Sequence, residues 1–365
     1  MSSPTVAFIG LGLIGGSVAR ALKQADPGTL VKAYDKDPDT LKEAHRDGVV
    51  DVILDGIDSR LSDCDWIFLC APVKANMELA ERIRPLMGER TVLTDVGSVK
   101  TGMHRKIEEL GLGSRFIGGH PMAGSERTGY RNSKAGLLEN AYYIITTTEE
   151  TPADTIERYK ALVRSMRAIP LVMDCAQHDR VTAAVSHVPH VISASLVNLV
   201  KDSDDEAGDM RTVAAGGFKD ITRISSSSSD MWQGICLANP DNISRLLGDY
   251  IASLEKVKGE IESGDGKALK EFFESARQYR DTFPGTSSGP IKTDNAIHVQ
   301  IPDRNGALAE VIDALAHASI GIKNVGIVHN REYEYGSLRV ELYLEEDVPK
   351  AAGLLRKGGW DVTVG

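Results

Sequence analysis

Three short segments carry residue types able to do acid–base chemistry on a small anionic molecule. Gly118-Gly119-His120-Pro121-Met122-Ala123-Gly124-Ser125-Glu126 sets a histidine between paired glycines and a proline. An imidazole with a pKa near ~6.5 exchanges protons at neutral pH, which makes His120 the acid–base candidate. The alternative is a histidine that merely bonds a loop carbonyl. Asp95-Val96-Gly97-Ser98-Val99-Lys100 offers the Ser98 hydroxyl. It is either a catalytic partner, or the N-cap of a helix starting at Val99, or both. Ser186-His187-Val188-Pro189-His190 holds two imidazoles three apart. That spacing suits one helix face and hints at a metal, but no carboxylate or cysteine joins them, and binding of an anionic substrate is the preferred reading. Further on, Gly216-Gly217-Phe218-Lys219-Asp220-Ile221-Thr222-Arg223-Ile224 puts Lys219 and Arg223 four apart on an expected helix, sharing a face. A guanidinium grips a carboxylate with two parallel bonds, so Arg223 is expected to hold a substrate carboxylate. An internal salt bridge to Asp220 is the other option. Ser225 to Ser229 reads as a turn capping a helix that begins near Met231.

These groups need a cofactor beside them, and the first 35 residues supply its site. Val6-Ala7-Phe8-Ile9 is an apolar strand run leading into Gly10-Leu11-Gly12-Leu13-Ile14-Gly15. Ser17 to Leu22 then reads as a helix, and Leu30 to Tyr34 as a second strand ending in Asp35. Strand, glycine turn, helix, strand and acid come in the order a dinucleotide site requires. Gly10 permits the tight turn, Gly12 admits a pyrophosphate, and Gly15 lets the helix pack close. Leu13 and Ile14 complete the loop at a helix start whose free N–H groups and dipole favour phosphate. The expected cofactor is a nicotinamide or flavin dinucleotide. Asp35 is expected to bond ribose hydroxyls and repel a 2′-phosphate, favouring NAD over NADP, with Lys36 softening the preference. Ala71 and Pro72, in Ala71-Pro72-Val73-Lys74, leave another strand end. That segment, the Ser98 segment and the His120 segment border one crevice beyond the carboxyl ends of a sheet.

The elements positioning these groups follow from patterning. From Val6 to about Asp174, apolar strand runs (Trp66 to Cys70, Thr91 to Thr94, Phe116 to Gly118, Tyr142 to Ile145) alternate with helical patterns such as Asn76 to Met87 and Lys100 to Leu110. This is an α/β Rossmann-type domain with a mostly parallel sheet, expected over residues 1–174. From Cys175 on, Val181 to Val200, Met231 to Leu237, Asn242 to Ser263 and Ala268 to Tyr279 carry apolar residues at helical spacing. Residues 175–284 are therefore an all-α domain, whose excess apolar surface predicts a homodimer. Residues 285–293 are a Pro/Gly/Ser linker. Residues 294–365 read as βαββαβ, a ferredoxin-like unit.

Composition narrows the class. The 42 basic and 52 acidic residues leave a formal charge of −10, which argues against a nucleic-acid partner. Cys64, Cys70, Cys175 and Cys236 have no metal-ligand spacing and suit a reduced, cytoplasmic protein. The apolar N-terminus lacks a basic leader and is interrupted by glycines, so it is not read as a signal peptide. No unbroken apolar run reaches the ~18 residues needed to span a membrane.

The opening Val6–Ser17 stretch, the Asp95–Lys100, Gly119–Ser125 and Ser186–His190 segments, and Phe218–Arg223 together resemble the prephenate dehydrogenases, over residues 1 to about 280. The C-terminal unit, with Asp303-Arg304-Asn305-Gly306-Ala307-Leu308 and Gly321-Ile322-Lys323-Asn324-Val325, is similar to ACT regulatory domains. The resemblance implies oxidative decarboxylation of prephenate, with NAD+ taking hydride from the carbinol carbon. It implies that His120 contacts the ring hydroxyl, that Ser98 orients His120 or the nicotinamide, and that Arg223 takes the ring carboxylate. His190, with His187 nearby, faces the side chain, and Trp232 closes the pocket. It further implies an L-tyrosine effector near Asn305, Gly306 and Asn324, or a unit that only promotes oligomerisation. Other readings are an arogenate dehydrogenase, a β-hydroxyacid dehydrogenase whose lysine motif is not evident here, and a non-catalytic cofactor or amino-acid sensor.

Overall fold

The computed structural model describes residues 3–125, 127–283, 295–302, 304–330 and 335–364 of the 365. The linker reading over 285–293 lies outside them. The described chain forms two compact units, one ending at Asp281 and one taking in the residues from Asn295 on.

The first unit opens with β1 (Thr5–Ile9), α1 (Leu13–Ala25), β2 (Leu30–Tyr34), α2 (Pro38–Arg46), β3 (Val52–Ile53), β4 (Trp66–Leu69), α3 (Val73–Ile83) and β5 (Val92–Asp95). It continues with α4 (Thr101–Glu109), β6 (Phe116–Pro121), β7 (Tyr142–Thr146), α5 (Ala153–Ser165) and β8 (Ile169–Val172). The strands form one sheet in the order β3-β2-β1-β4-β5-β6-β7-β8. All neighbours are parallel except β6 and β7. Alternate strand residues feed opposite faces. Val6, Phe8, Val31 and Phe68 pack with Val18 and Leu22 of α1 and Tyr159 of α5. Ala7, Ile9, Ile67 and Leu69 pack with Ala80 of α3 and Met103 and Ile107 of α4. Burial on both faces is why these strands read as unbroken apolar runs.

Two expected boundaries shift. The helix expected over Asn76 to Met87 runs instead from Val73 to Ile83, and a 3₁₀ turn, Arg84–Leu86, follows. Pro85 has no N–H to continue the α ladder. The strand expected to end at Gly118 continues to Pro121, so His120 is a strand residue, paired with Ile144.

The helical part is α6 (Cys175–Thr182), a π segment (Ala183–His187), α7 (Val188–Ser203), α8 (Asp209–Val213), α9 (Gly216–Thr222), α10 (Ser229–Ala238), α11 (Pro240–Ser263) and α12 (Gly266–Asp281). Ser228 caps α10 through the Met231 N–H at 3.4 Å, the role expected of the serine run. Contrary to expectation, one stretch, Cys175–Ser203, is long and apolar enough by length and composition to cross a bilayer. His178, Asp179 and His187 lie along it, at most 1% exposed and bonded to neighbouring elements, so its first half is anchored in the fold, while of α7 only Val188 and Ser193 are buried.

The second unit contains β9 (Ala296–Pro302), α13 (Ala307–His317), β10 (Ile322–Asn330), β11 (Tyr335–Leu342), α14 (Asp347–Lys357) and β12 (Asp361–Val364). Its antiparallel sheet has the order β10-β11-β9-β12. Ile297, Val299, Leu338 and Val340 pack against Val311 and Leu315 of α13 and Leu355 of α14.

Candidate active site

The glycine loop between β1 and α1 has the form an anion cradle needs. Gly10 sits at φ +95°, a region side chains disfavour, and a Cβ there would lie 2.9 Å from the Cys70 carbonyl carbon. A Cβ on Gly15 would meet the Gly10 carbonyl oxygen at 2.7 Å, so only glycine lets α1 approach this closely. A Cβ on Gly12 would meet nothing within 4 Å, leaving open space over the loop. Gly12 is also the N-cap of α1, with no side-chain cap and no acid in the first turn. Leu13 and Ile14 form that first turn. The residues thus fit a dinucleotide pyrophosphate. The Asp35 carboxylate, at the end of β2, accepts the Leu11 N–H at 2.6 Å and the Asp37 N–H at 2.9 Å, which holds it beside the loop. Beyond β4, the Ala71 N–H is taken by Asn76 Oδ1 at 3.0 Å, and Pro72 is the N-cap of α3.

Below the crevice lies a buried ion pair. Lys100 Nζ donates to Asp95 Oδ2 at 2.5 Å, with side-chain exposures of 0% and 2%. Asp95 Oδ1, at the carboxyl end of β5, has no partner among the described residues. Ser98 stands between these two. α4 starts at Thr101 with Lys100 as N-cap, so Ser98 does not cap it. Its hydroxyl enters none of the described hydrogen bonds. Asp179 on α6 caps α4 instead: Oδ1 accepts the Lys100 N–H and Oδ2 the Thr101 N–H, both at 2.8 Å.

His120 projects from β6 with 9% exposure. Its Nδ1 lies 2.8 Å from His178 Nε2, and His178 Nδ1 lies 2.8 Å from Asp179 Oδ1. Burial, then the neighbouring His178, Lys100 and His187, push His120 well below the usual imidazole value. Burial also lowers His178. Burial would raise the Asp179 carboxyl, but bonds from His178 and the two N–H groups outweigh it and hold it low. His178 and Asp179 were not legible as site residues, because their role depends on contacts 58 and 79 positions away.

A second cluster surrounds Trp232 on α10. The His190 ring stacks on the indole at 3.7 Å between centroids, and the His187 ring meets it edge-on at 6.1 Å. His190 Nδ1 donates to the Ser186 carbonyl at 2.9 Å, which leaves its Nε2 as an acceptor. The Asn239 amide lies 3.3 Å from His187 Nδ1 and also donates to the Asp179 carbonyl at 2.8 Å. His187 Nε2 and Trp232 Nε1 are buried with no partner among the described residues. Burial lowers His187 to about 4. Orphaned buried donors are costly, and a polar ligand relieves them.

The expected Lys219–Arg223 pairing on one helix is corrected. α9 ends at Thr222, and Arg223 opens a 3₁₀ turn, Arg223–Ser226, because the Thr222 hydroxyl turns back to the Phe218 carbonyl at 2.6 Å. Lys219 and Arg223 are both exposed. In the second unit, Asn305 is exposed and Gly306 is the N-cap of α13 at φ +89°. Asn324, on β10, turns Oδ1 to the Val325 N–H at 2.9 Å.

A glycine-loop sheet, with a strand-borne histidine at its carboxyl edge and further histidines from an appended helical domain, defines a dinucleotide-dependent dehydrogenase. Residues 18–170 match the family model for the prephenate dehydrogenase nucleotide-binding domain, and residues 174–275 match that for the dimerization domain. Prephenate dehydrogenase of Bacillus subtilis is 35% identical over 350 residues, 95% of this chain and 94% of that protein. Prephenate dehydrogenase from Aquifex aeolicus, solved with hydroxyphenyl propionate and NAD+, matches with a TM-score of 0.73 and 30% identity, over 77% of this chain and 98% of that one. Arogenate dehydrogenase from Synechocystis matches with a TM-score of 0.66 and 26% identity, over 76% and 99%. The chain belongs to the prephenate dehydrogenase family: an NAD-dependent oxidoreductase for the oxidative decarboxylation of prephenate in tyrosine biosynthesis.

Proposed function

We propose that His120 is the proton acceptor of this reaction, taking the ring hydroxyl proton on Nε2. The observation that carries this is a buried imidazole at the carboxyl end of a strand of the cofactor-binding sheet, held below the usual histidine range by burial, with Nδ1 already engaged. NAD+, when bound, supplies the acceptor for the carbinol hydride. The Gly10–Gly15 loop, Asp35, Ala71 and Pro72 hold the dinucleotide, and Ser98 orients His120 or the nicotinamide ring. Arg223 takes the ring carboxylate, which leaves as carbon dioxide as its bonding pair aromatises the ring. Lys219 adds positive charge at the pocket mouth. His187, His190 and Trp232 receive the pyruvyl side chain, and the orphaned nitrogens of His187 and Trp232 support that reading. We assign dinucleotide binding to residues 1–174, substrate binding and pairing to 175–284, and regulation to 294–365.

The test is the growth of reduced-cofactor absorbance with prephenate and NAD+. Arogenate in the same assay is expected to be the poorer substrate. His120→Asn should lower kcat by roughly 10²–10⁴-fold, the range for a lost general base, with KM changing far less. Near-normal kcat in that variant would reduce His120 to a loop-structuring role.

We further propose a homodimer through the helical domain. Leu199, Leu237, Ile261 and Phe273, each more than 60% exposed on α7, α10, α11 and α12, support it. Light scattering at micromolar concentration should give twice the chain mass. The βαββαβ unit, with its positive-φ Gly306, supports an ACT-type site for L-tyrosine near Asn305, Gly306 and Asn324. Removing residues 285–365 should then abolish tyrosine inhibition while leaving turnover. Four free cysteines support a cytoplasmic location, which cell fractionation would check.

A further inference from the structure

We propose that Asp179 and His178 are positioning residues that fix the proton of His120 on Nδ1, so that its Nε2 presents a lone pair to the substrate hydroxyl. The inference rests on the reading of His120 as the base and adds how its proton is placed.

Donors and acceptors alternate along one line of contacts. Asp179 faces three nitrogens. Two are the backbone N–H groups of Lys100 and Thr101, one at each carboxylate oxygen and both at 2.8 Å. Both oxygens accept, and together with the His178 contact these bonds hold the carboxyl low, so it is ionised and has no proton to give. The third contact, at 2.8 Å to His178 Nδ1, is therefore an N–H donated by the histidine. A neutral imidazole has one N–H, so His178 Nε2 is bare. It lies 2.8 Å from His120 Nδ1, too close for two lone pairs to face each other, so His120 Nδ1 carries the hydrogen and donates it. His120 Nε2 is left bare.

The scheme requires His178 to stay neutral. Protonated, it would present an N–H to His120 Nδ1 and drive the His120 proton onto Nε2, where the ring cannot act as a base. The groups facing His178 are Asp179 on its own helix, Asp95 at the end of β5, Lys100 ahead of α4, His120, and more distantly His104 and His187. His178 is fully buried, and burial together with the Lys100 ammonium outweighs the two carboxylates. A carboxylate behind a histidine is a recurrent way to fix which ring nitrogen holds the proton. Here a second histidine extends the arrangement by one member.

A merely structural role, docking α6 onto the start of α4, would leave the His120 tautomer unset. ¹⁵N NMR of the full-length enzyme with labelled histidine separates the two, with His120 assigned by its absence in His120→Asn. The expected spectrum shows His120 with protonated Nδ1 and bare Nε2. Kinetics give the second readout. His178→Leu should lower kcat by roughly 10–100-fold, the usual loss when an orienting partner is removed. KM for prephenate should move less than about threefold, since His178 does not contact the substrate. His178→Gln, whose amide can give N–H to Asp179 and accept from His120, should recover about tenfold of that loss. A wild-type His120 protonated on Nε2 overturns the proposal, even if His120→Asn is inactive and the base assignment stands. Unchanged kcat in His178→Leu, or a glutamine variant no better than leucine, overturns it as well. If the leucine variant does not fold, the wild-type spectrum alone decides.

Discussion

His120 is buried against His178 and flanked by Lys100 and His187, and burial followed by these neighbours keeps it neutral below the usual imidazole range. The sign follows: a base with a lowered pKa keeps its lone pair as pH falls. The acid limb of kcat/KM should therefore lie below pH ~6.5, the ordinary histidine value. A limb at or above that value would mean that the free enzyme does not keep His120 buried. At Arg223 the expectation concerns binding. Arg223→Ala should weaken prephenate binding by about 2–5 kcal/mol, and Arg223→Lys should restore little, because an ammonium lacks the planar fork. Normal KM and kcat in Arg223→Ala would make the residue a structural partner only. His120 stood out in the sequence because glycines and a proline surround a histidine at a strand end, and the structure places it buried on β6 against His178. His178 was not, because in sequence it is one polar residue near the start of a helix. Ser98 misled in one respect. Its place before a helical run suggests a cap, yet the cap comes from Asp179, through space.

The glycine loop and the long α6–α7 helix show what periodicity reads well and what it misses. Gly15 packs with no room for a methyl group, since both the Gly10 carbonyl oxygen and Cys70 Cβ lie within 3 Å of where it would sit. Gly15→Ala should cost about 1–3 kcal/mol of stability, the usual range for overpacking, and raise KM for NAD+. Thermal melts and cofactor titration would check this, and an alanine variant with both unchanged would mean that α1 shifts at no cost. The apolar spacing of Val181 to Val200 announced a helix, but not the π segment inside it. An inserted residue of this kind re-aims the side chains beyond it and is frequent at functional sites. Here it follows Asp179, turned to α4, ends in His187 and precedes His190, both of which meet Trp232. The antiparallel β7 was also missed. Among the described residues its connection from β6 contains only 3₁₀ turns, Tyr130–Asn132 and Ala135–Leu138, rather than the crossover helix a parallel strand needs.

For the molecule as a whole, buried neutral histidines make stability depend on acid. His104 and His187 are 3% and 1% exposed, and burial lowers each to about 4. Unfolded, both titrate near ~6.5, so below that pH the unfolded chain binds more protons than the folded one. Stability is thus fully present above ~6.5 and is lost as pH falls toward 4. At pH 5 each should have lost about 2 kcal/mol. His120 and His178 push the same way. Melting temperature should fall steadily between pH 7 and 5, and a flat profile there would show that these rings are open to water when folded. The order of elements was largely readable, because alternation, helical spacing and βαββαβ order are properties of neighbouring residues. The join between sheet and helices was not, because Asp179, Asn239 and His178 act across long sequence separations.

The Asp179 carboxylate has one further consequence. It closes the open end of a helix belonging to the sheet while sitting on a helix of the neighbouring layer. The same oxygens begin the line of contacts that ends at His120. If His120 is the base, assembly and readiness for chemistry are one event: lifting these helices from the sheet removes the cap and the proton arrangement together. A replacement at this position is doubly constrained, since any side chain that keeps the layers together must also accept from His178 and so keep the neutral His120 ring protonated on Nδ1.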